Sequence, residues 1–489
     1  MIEFLAIPGQ VPAIEAPFAG AGAWQFRDEA VLGTRMTLSV NAEQPEQALI
    51  AAQMARMEID RLNRVFNARA KDSELVGLNA SREWTASVDL FDALAAAEQW
   101  RVATAGAFSP RLGRVLDLWR GAGAGVPDAE RVLGAAETAA QATVEMDAET
   151  RTIVRPASVR FALDGFAKGW IVDAALKAML RAPGVRGGLV DIGGDIACGG
   201  EAPEGGWSIG IPDAHLPYDN APLAASVVLA NGGIATSGRG PRDRVVGDKR
   251  LSPTLSPVTG WAVETNVSAT VMARSAADAD ALATAALVAN PEAARAIFAR
   301  KLDAGARIVA PDGSVATLGV WNGREMPTPV QAKSPGMWPD GWQALATFTA
   351  PRRQLIRDPE FRSPYMAMWI TDEANKPVRT LILVGRRKEW QKDNHIWWQQ
   401  NREATDKLIA TRSMSTSGAG VYNVFWDGVD DRGRAVPAGS YVLHVETSRE
   451  RGKHTYRRLT LDFTQAKRFV DELTPTEEGG GLKVTYDHY

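Results

Sequence analysis

The stretch from residue 322 to residue 346 constrains the fold most, because it is rich in proline, glycine and tryptophan and shows no periodicity. Such a composition favours turns and extended connections over helices and strands. The chain has 489 residues, too many for one ordinary domain. We therefore expect a first domain over residues 20–325, a linker over 326–346 and a second domain over 347–489.

The first of these segments intersperses helical and strand patterns without a regular βαβ repeat, which is typical of an α+β domain. Ile50, Met54 and Met57 recur at spacings of four and three, and Leu62 and Phe66 continue the series. This spacing predicts a helix over residues 41–66 with those five side chains in the core.

The last segment carries apolar, strand-like runs at residues 366–370, 380–384 and 441–445. The sequence between Trp426 and Tyr441 is rich in turn residues, and its pattern resembles immunoglobulin-like sandwiches. We expect an all-β domain with that architecture. The acidic residues of the turn do not match a calcium-binding EF-hand loop, so we interpret them as hydrated hairpin carboxylates.

An alanine-rich helix predicted over residues 275–290 carries two oxygen-bearing side chains on one face. Ser275 has the position of an N-cap, and the helix ends at Asn290 before a proline. Residues four apart share a helix face, so Asp280 and Thr284 point the same way. A carboxylate and a hydroxyl suit Mg²⁺, which takes few protein oxygens and keeps water or phosphate as further ligands. The alternative is an ordinary solvated pair.

Other short motifs precede this helix in a recognisable order. They are Leu-Gly-Thr at 32–34, Lys-Asp-Ser-Glu-Leu at 71–75, Gly-Ala-Phe-Ser-Pro at 106–110, Leu-Asp-Gly-Phe-Ala-Lys-Gly at 163–169, Asp-Ile-Gly-Gly-Asp at 191–195, Ala-Thr-Ser-Gly at 235–238 and Ser-Pro-Val-Thr-Gly at 256–260. Over about residues 20–325 the chain thus resembles the ApbE family, the FAD:protein FMN transferases. Each motif is weak alone, and their shared order makes the resemblance specific.

The resemblance implies a reaction and its site. FMN would move from the substrate FAD to a Ser or Thr hydroxyl of an acceptor protein, with Mg²⁺ as cofactor. Asp280, Thr284 and the carbonyl of Gly165 would bind the metal, and Lys168 and Asp280 would be the catalytic residues. The residues implied in binding FAD are Leu32, Ala107, Phe108, Ser109, Asp164, Lys168, Gly193, Gly194, Thr236, Ser237 and Leu255.

Several of these residues also have a plainer interpretation. In this plainer interpretation, Lys168 is an ordinary surface lysine, and Gly193 and Gly194 only form a tight turn. Phe108 and Trp170 would then pack in the core instead of stacking on a flavin or adenine ring. The sequence leaves these alternatives open.

The chain departs from the family at polar positions. Pro253 and Ser256 stand where the family has His and Asp, and Ala162 and Ser109 replace acids. A general base typically contributes about 10²–10⁴-fold to a rate, so a metal-driven transfer would be slowed. The alternative function is a degenerate module that binds FAD or FMN without turnover. In a third hypothesis, the second domain is the active part of the protein and the first domain is a scaffold.

The second segment looks like the DUF2271 family of bacterial, exported domains, so the resemblance implies a periplasmic protein. Residues 1–20 contain no recognisable signal peptide, and we expect either a cytoplasmic protein or an export segment upstream. A net charge of −3 argues against a nucleic-acid partner, and the absence of an apolar run of about 20 residues argues against a membrane span. Cys198 is the only cysteine, which excludes an internal disulfide.

Two features of the second segment stay open. His395, His444 and His454 suggest a metal or haem site, although scattered histidines are more often ordinary surface or hydrogen-bonded residues. The sequence at 415–420 faintly resembles the acceptor motif of FAD:protein FMN transferases, and we interpret it as a flexible loop.

Overall fold

The structure is a computed structural model. It describes residues 23–123, 125–203, 205–216, 218–238, 243–246, 249–300, 303–326, 338–339, 341–350, 364–385, 391–404, 408, 413–414, 421–449, 452–476 and 479–488. Its contacts separate two compact units. The first contains the described residues up to His215 and those from Ala225 to Glu325. The second contains Leu216–Ala224 and the described residues from Met326 onward. The residues of the 415–420 loop lie outside the described ones.

The first unit is built on an eight-stranded antiparallel sheet. In spatial order its strands are β1 (Ala23–Val31), β2 (Thr34–Ala42), β6 (Val185–Ile192), β7 (Asp195–Gly200), β10 (Gly232–Gly238), β13 (Ser268–Ala273), β14 (Gly305–Val309) and β15 (Val315–Gly319). The smaller sheets are formed by β3 (Glu83–Thr85), β4 (Glu145–Asp147) and β5 (Thr152–Val154), by β8 (Trp207–Pro212), β9 (Leu223–Leu229) and β16 (Arg324–Glu325), and by β11 (Arg244–Val246) and β12 (Lys249–Leu251).

Helices pack against the large sheet and beside it. They are α1 (Pro45–Phe66), α2 (Glu74–Ala80), α3 (Val88–Ala103), α4 (Gly113–Gly121), α5 (Ala129–Gln141), α6 (Ala167–Leu180), α7 (Ala276–Val288) and α8 (Pro291–Phe298). The predicted helix at 275–290 and its Ser275 cap are confirmed. Helix α7 is buried on most of its surface, since its alanines let α6 and the sheet approach closely.

Helix α1 confirms the predicted helix from Pro45 to Phe66 but not its predicted start, because residues 41 and 42 belong to β2. Its predicted buried face is confirmed only in part. Leu62 and Phe66 are buried as expected, whereas Ile50 is 41% and Met57 is 57% exposed. The positions that face the core instead are Ala48, Ala51, Ala52, Ala55 and Ile59. Small side chains allow α1 to pack closely on α6 and the sheet. The prediction that Ile50 and Met57 face the core was therefore wrong.

The second unit consists mostly of strands in two sheets that share one core. The four-stranded sheet has the order β21 (Val421–Trp426), β17 (Trp342–Thr349), β25 (Gly480–His488) and β24 (Phe469–Thr476). The five-stranded sheet has the order β20 (Ser413–Met414), β19 (Pro377–Val384), β18 (Tyr365–Asp372), β22 (Ser440–Ser448) and β23 (His454–Asp462). The described helix of this unit, α9 (His395–Gln400), covers the outer face of the five-stranded sheet.

Large aromatic side chains fill the core between these two sheets. Trp338 is 1% exposed and its ring lies 4.6 Å from that of Trp426 and 4.4 Å from that of Phe463. Its indole N–H donates to Trp342 O at 2.7 Å, so the segment just before β17 is anchored to the core. Among the described residues, no helix has the length and apolarity needed to cross a membrane.

Candidate functional site

Polar contacts at the start of α7 hold it against the middle of α6. Ser275 Oγ accepts a hydrogen bond from Asp278 N at 3.0 Å, which caps α7. The Asp173 carboxylate of α6 accepts from Ala276 N and Ala277 N at 2.9 Å each. Burial raises the pKa of Asp173 to about 6 in spite of these two donors. The two helices are therefore joined where the candidate ligands lie.

Asp280 and Thr284 point from α7 toward the same segment, residues 165–169. Gly169 N donates to Asp280 Oδ2 at 3.3 Å, and the Asp280 residue is 4% exposed. A Cβ atom placed on Gly165 would lie 2.8 Å from Thr284 Oγ1. Ser237 Oγ of β10 lies 3.3 Å from the same Thr284 oxygen. The shared helix face inferred from spacing is thus confirmed.

This arrangement suits a small hard cation. The Asp280 carboxylate and the hydroxyls of Thr284 and Ser237 are oxygen groups of the kind Mg²⁺ prefers. The close approach of Gly165 to Thr284 also requires a residue without a side chain, because a Cβ would fill the space between them.

Lys168 is neither exposed nor unpaired, since its ammonium group forms an ion pair with Asp195 of β7. The Lys168 side chain is 18% exposed and that of Asp195 is 1% exposed. Asp191 lies near this pair and accepts from Gly194 N at 3.0 Å. Burial and then the charge of Asp195 raise the pKa of Asp191 to about 6, although the Gly194 N–H, Arg35 and Lys168 lower it.

Two tight turns lie side by side at this end of the sheet. Leu32 and Gly33 connect β1 to β2 with φ of 52° and 77°, and Gly193 and Gly194 connect β6 to β7 with φ of 62° and 90°. Gly193 N donates to Arg35 O at 2.9 Å, which joins the two turns. Both turns need left-handed backbone, so the tight turn at Gly193 and Gly194 is present, and a contact of these glycines with a nucleotide stays a prediction.

The remaining predicted contacts have mixed surroundings. Thr236 Oγ1 lies 2.9 Å from Thr270 Oγ1, within β10 and β13. The Phe108 side chain is 3% exposed and lies 6.2 Å from the ring of Phe166, so the ring is a core residue in this structure. Its neighbours Ala107 and Ser109 are half-buried, and Asp164 is exposed.

The segment that aligns with the family's His and Asp positions forms a hairpin-like loop. Ser256 N donates to Trp261 O at 2.7 Å, and Ser256 Oγ accepts from Val258 N at 3.3 Å. Pro253 is exposed. Leu255 packs in a separate small apolar cluster with Val115, Trp119, Val132 and Ala136.

Comparison with known proteins assigns the first part of the chain. The ApbE family matches residues 32–308, more than half of the chain. The chain belongs to the ApbE family. A family described as "Predicted periplasmic protein (DUF2271)" matches residues 350–480. Both resemblances stated from the sequence are confirmed.

Individual members of the ApbE family also align with more than half of this chain. The FAD:protein FMN transferase of Treponema pallidum is 29% identical over 317 residues, which are 60% of this chain and 87% of the relative. That of Escherichia coli K12 is 26% identical over 286 residues, 55% of this chain and 80% of the relative. The crystal structure of the ApbE protein from Thermotoga maritima aligns with a TM-score of 0.54 at 26% identity, covering 61% of this chain and 97% of that one.

Sequence reasoning missed the acidic partners around the ApbE-family motifs. Asp195 neutralises Lys168, Asp191 lies behind it, and Asp173 fixes the start of α7. Asp191 and Asp195 flank the Gly-Gly pair inside otherwise apolar strands. An acidic residue in a buried strand needs a partner, and this was the available signal.

Proposed function

We propose that the first domain, over residues 20–325, transfers FMN from FAD to a Ser or Thr hydroxyl of an acceptor protein with Mg²⁺ as cofactor. The observation that carries the proposal is the convergence of Asp280, Thr284 and Gly165. The transferases named among the relatives support the same reaction class. Mg²⁺ would supply charge compensation on the pyrophosphate and on the leaving phosphate.

In this proposal the chain's own residues hold and orient the reactants. Asp280, Thr284 and the Gly165 carbonyl hold the metal, and Lys168, oriented by Asp195, is directed at a phosphate or flavin oxygen. The turns at Leu32 and at Gly193–Gly194, with Ala107, Phe108, Ser109, Asp164, Thr236, Ser237 and Leu255, form the proposed FAD contacts. The acceptor oxygen bonds to the FMN phosphorus, the pyrophosphate P–O bond breaks, and AMP leaves. The hydroxyl proton passes to water, because Pro253 and Ser256 offer no base.

The same loop motivates a second candidate, a module that binds FAD or FMN without turnover. The Ser256 hydroxyl accepts hydrogen bonds within its own turn, and Pro253 removes both an imidazole and an amide donor from the position of the family's His. A site that keeps its metal ligands but lacks this group would bind the nucleotide and react slowly.

The two candidates differ in a direct assay. Full-length protein is incubated with FAD, Mg²⁺ and a peptide containing Asp-Gly-x-Thr-Gly-Ala-Thr, and peptide mass and AMP are measured. The transferase predicts an FMN adduct and one AMP per adduct, and no adduct on a peptide with alanine at the accepting Thr. Tight FAD binding without adduct or AMP would support the binding module and refute the transferase.

The linker predicted over 326–346 extends too far, because Trp338 lies in the core of the second unit and Trp342–Thr349 form β17. Residues 327–337 lie outside the described ones, and there the linker stays a proposal. For the predicted domain over 347–489 we propose an immunoglobulin-like sandwich, begun by β17, that positions the acceptor protein. Two sheets with a shared aromatic core support the sandwich. We also propose that the protein acts in the periplasm, which agrees with the description of the DUF2271 family. Fractionation of cells that produce the protein from its own gene tests this location.

A further inference from the structure

Three side chains of the second unit meet beside helix α9. His395 is the first residue of α9, Glu446 lies on β22, and His454 begins β23. In the ladder of β22 and β23, Ser448 is opposite His454 and Glu446 is opposite Tyr456. Glu446 and His454 are therefore diagonal neighbours on one face of the sheet, the face that α9 covers.

The atoms that could bind a metal are close together. His454 Nε2 lies 2.6 Å from Glu446 Oε1, and His395 Nδ1 lies 3.9 Å from the same oxygen. The two imidazole rings are 4.2 Å apart between centroids. One ligand atom from each of the three residues lies within 4.8 Å of the others.

The carboxylate of this trio is fixed before any ion binds. Glu446 Oε1 accepts from Ile396 N at 3.0 Å, and Oε2 accepts from Trp397 N at 2.8 Å. The Glu446 side chain is 0% exposed, whereas those of His395 and His454 are 54% and 32% exposed. A buried, oriented oxygen ligand thus lies below two imidazoles that solvent can reach, which leaves an entry path and room for a water ligand.

We propose that His395, Glu446 and His454 form a binding site for a late first-row divalent cation, with Zn²⁺ as its best representative. Two imidazoles and one carboxylate with a fourth position open are a known ligand set for Zn²⁺. Imidazole nitrogen favours Zn²⁺, Ni²⁺ and Cu²⁺ over Mg²⁺ and Ca²⁺, which take oxygen ligands. The site is therefore chemically distinct from the oxygen cluster at Asp280.

His444, which the sequence groups with these histidines, is not part of the site. Its Nε2 lies 2.9 Å from Thr371 Oγ1 and its Nδ1 lies 2.7 Å from Tyr456 OH. Its ring stacks on Trp369 at 4.8 Å, and burial lowers its pKa to about 4. The suggestion of one site from all three histidines is corrected to two histidines and Glu446.

In the metal-free protein the His454–Glu446 contact is a hydrogen bond, and Zn²⁺ would replace its proton. The two atoms would then separate by a few tenths of an ångström, since both must be ligands of one ion. The half-exposed imidazole of His454 has room for this shift. The competing interpretation is that Glu446 only caps α9 and hydrogen-bonds His454, which predicts no metal affinity.

The test is titration of chelator-treated, full-length protein with Zn²⁺ near neutral pH, in a millimolar excess of Mg²⁺ that occupies oxygen-rich sites. Calorimetry gives affinity and stoichiometry, and the visible absorption of bound Co²⁺ reports imidazole coordination. The site variant is His395→Ala with His454→Ala. The matched control is His215→Ala with His488→Ala, which removes two exposed histidines elsewhere.

The proposal predicts one Zn²⁺ per chain, retained by the control and weakened at least about a hundredfold in the site variant. Glu446→Gln keeps an acceptor oxygen for one of the two α9 N–H groups and removes the charge, and it should lose at least about tenfold in Zn²⁺ affinity. Thermal unfolding in a chelator checks that each variant folds. Equal Zn²⁺ affinity in folded wild type and site variant, or no binding to wild type, would overturn the proposal.

Discussion

At the scale of single residues, the proposed metal centre depends on one hydroxyl that contacts two other groups. Thr284 Oγ1 lies 3.3 Å from Ser237 Oγ and next to the space kept open by Gly165. Thr284→Val keeps the shape and removes the oxygen, so Mg²⁺ affinity should fall about tenfold or more. Thr284→Ser should stay within a few fold of wild type. Calorimetric Mg²⁺ titration in the presence of FAD measures both, and equal affinities of the Val and Ser variants would exclude Thr284 as a ligand.

Asp191 provides a prediction about pH. Its folded-state pKa is raised from 3.8 to about 6, chiefly by burial and then by the charge of Asp195, while the Gly194 N–H, Arg35 and Lys168 lower it. A raised acid pKa means that the ionised form costs stability above pH 6, and that this cost disappears as pH falls toward 4. Asp191→Asn should therefore raise the free energy of unfolding by roughly 1–3 kcal/mol above pH 6 and by little near pH 4.

Urea unfolding of both proteins from about pH 4 to about pH 8 measures this difference. Asp147→Asn is the comparison, because backbone hydrogen bonds lower the pKa of that exposed carboxylate and its removal should bring no gain. A constant difference between Asp191→Asn and wild type across the pH range would contradict the assignment.

Residue spacing predicted part of the site and could not predict the rest. Asp280 and Thr284 were found because a helix fixes which residues share a face. Asp195 was missed because its partner, Lys168, lies 27 positions away on α6, and only the tertiary fold joins them. Glu446 was missed for the same reason, since α9 and β23 bring their histidines to it.

At the scale of elements, the close packing of α6 on α7 positions Lys168 and Asp280 together. A Cβ on Gly169 would lie 2.3 Å from Ala276 O, so Gly169→Ala must move one helix away from the other. We expect a loss of about 1–3 kcal/mol in the free energy of unfolding together with weaker Mg²⁺ binding. Gly134→Ala in α5 is the control, because a Cβ there meets no atom within 4 Å.

Chemical denaturation and Mg²⁺ titration of both variants test this account of the helix pair. The Gly134→Ala control should be neutral or gain up to about 1 kcal/mol, since alanine favours helices over glycine. If Gly169→Ala had the stability and the Mg²⁺ affinity of the wild type, the close packing of α6 on α7 would not be needed for the proposed metal site.

Element types were predictable where the local pattern was strong, and element faces were not always so. The capped helix α7 followed from its capping residues, and the tight turn at Gly193–Gly194 was one of two interpretations that the sequence left open. In α1 the large residues Ile50 and Met57 suggested the buried side, but close helix packing selected the alanines. Periodicity finds an apolar stripe, whereas the size of the gap to the neighbouring element decides which stripe fits.

At the scale of the whole molecule, each unit has its own core, one around α7 and one around Trp338. We expect two calorimetric unfolding transitions that respond to different ligands. FAD with Mg²⁺ should raise the temperature of one transition, and Zn²⁺ should raise that of the other, because a ligand stabilises only the folded unit that binds it. The His395→Ala, His454→Ala double variant should lose the Zn²⁺ response alone.

Differential scanning calorimetry with each ligand, and with both, gives these shifts. A single transition raised by either ligand would show that the units unfold as one, and a Zn²⁺ shift retained in the double variant would place the metal elsewhere. The proline-rich break near residue 326 and the change from mixed to strand-like patterns are local features of the sequence, so two units were expected. The assignment of Leu216–Ala224 to the second unit was not predicted, because only the tertiary fold joins this segment to residues more than a hundred positions away.

The central claim is that the oxygen cluster on α7 drives metal-dependent transfer of FMN, and Asp280→Asn tests it most directly. Asp278→Asn is the matched control on the same helix, where the carboxylate accepts a hydrogen bond from Trp100 Nε1 at 2.9 Å instead of from Gly169 N. The measurement is the rate of FMN adduct formation on the acceptor peptide as Mg²⁺ is varied. We predict a rate reduced at least about a hundredfold in Asp280→Asn and nearly unchanged in Asp278→Asn. Wild-type Mg²⁺-dependent transfer by folded Asp280→Asn would contradict the account.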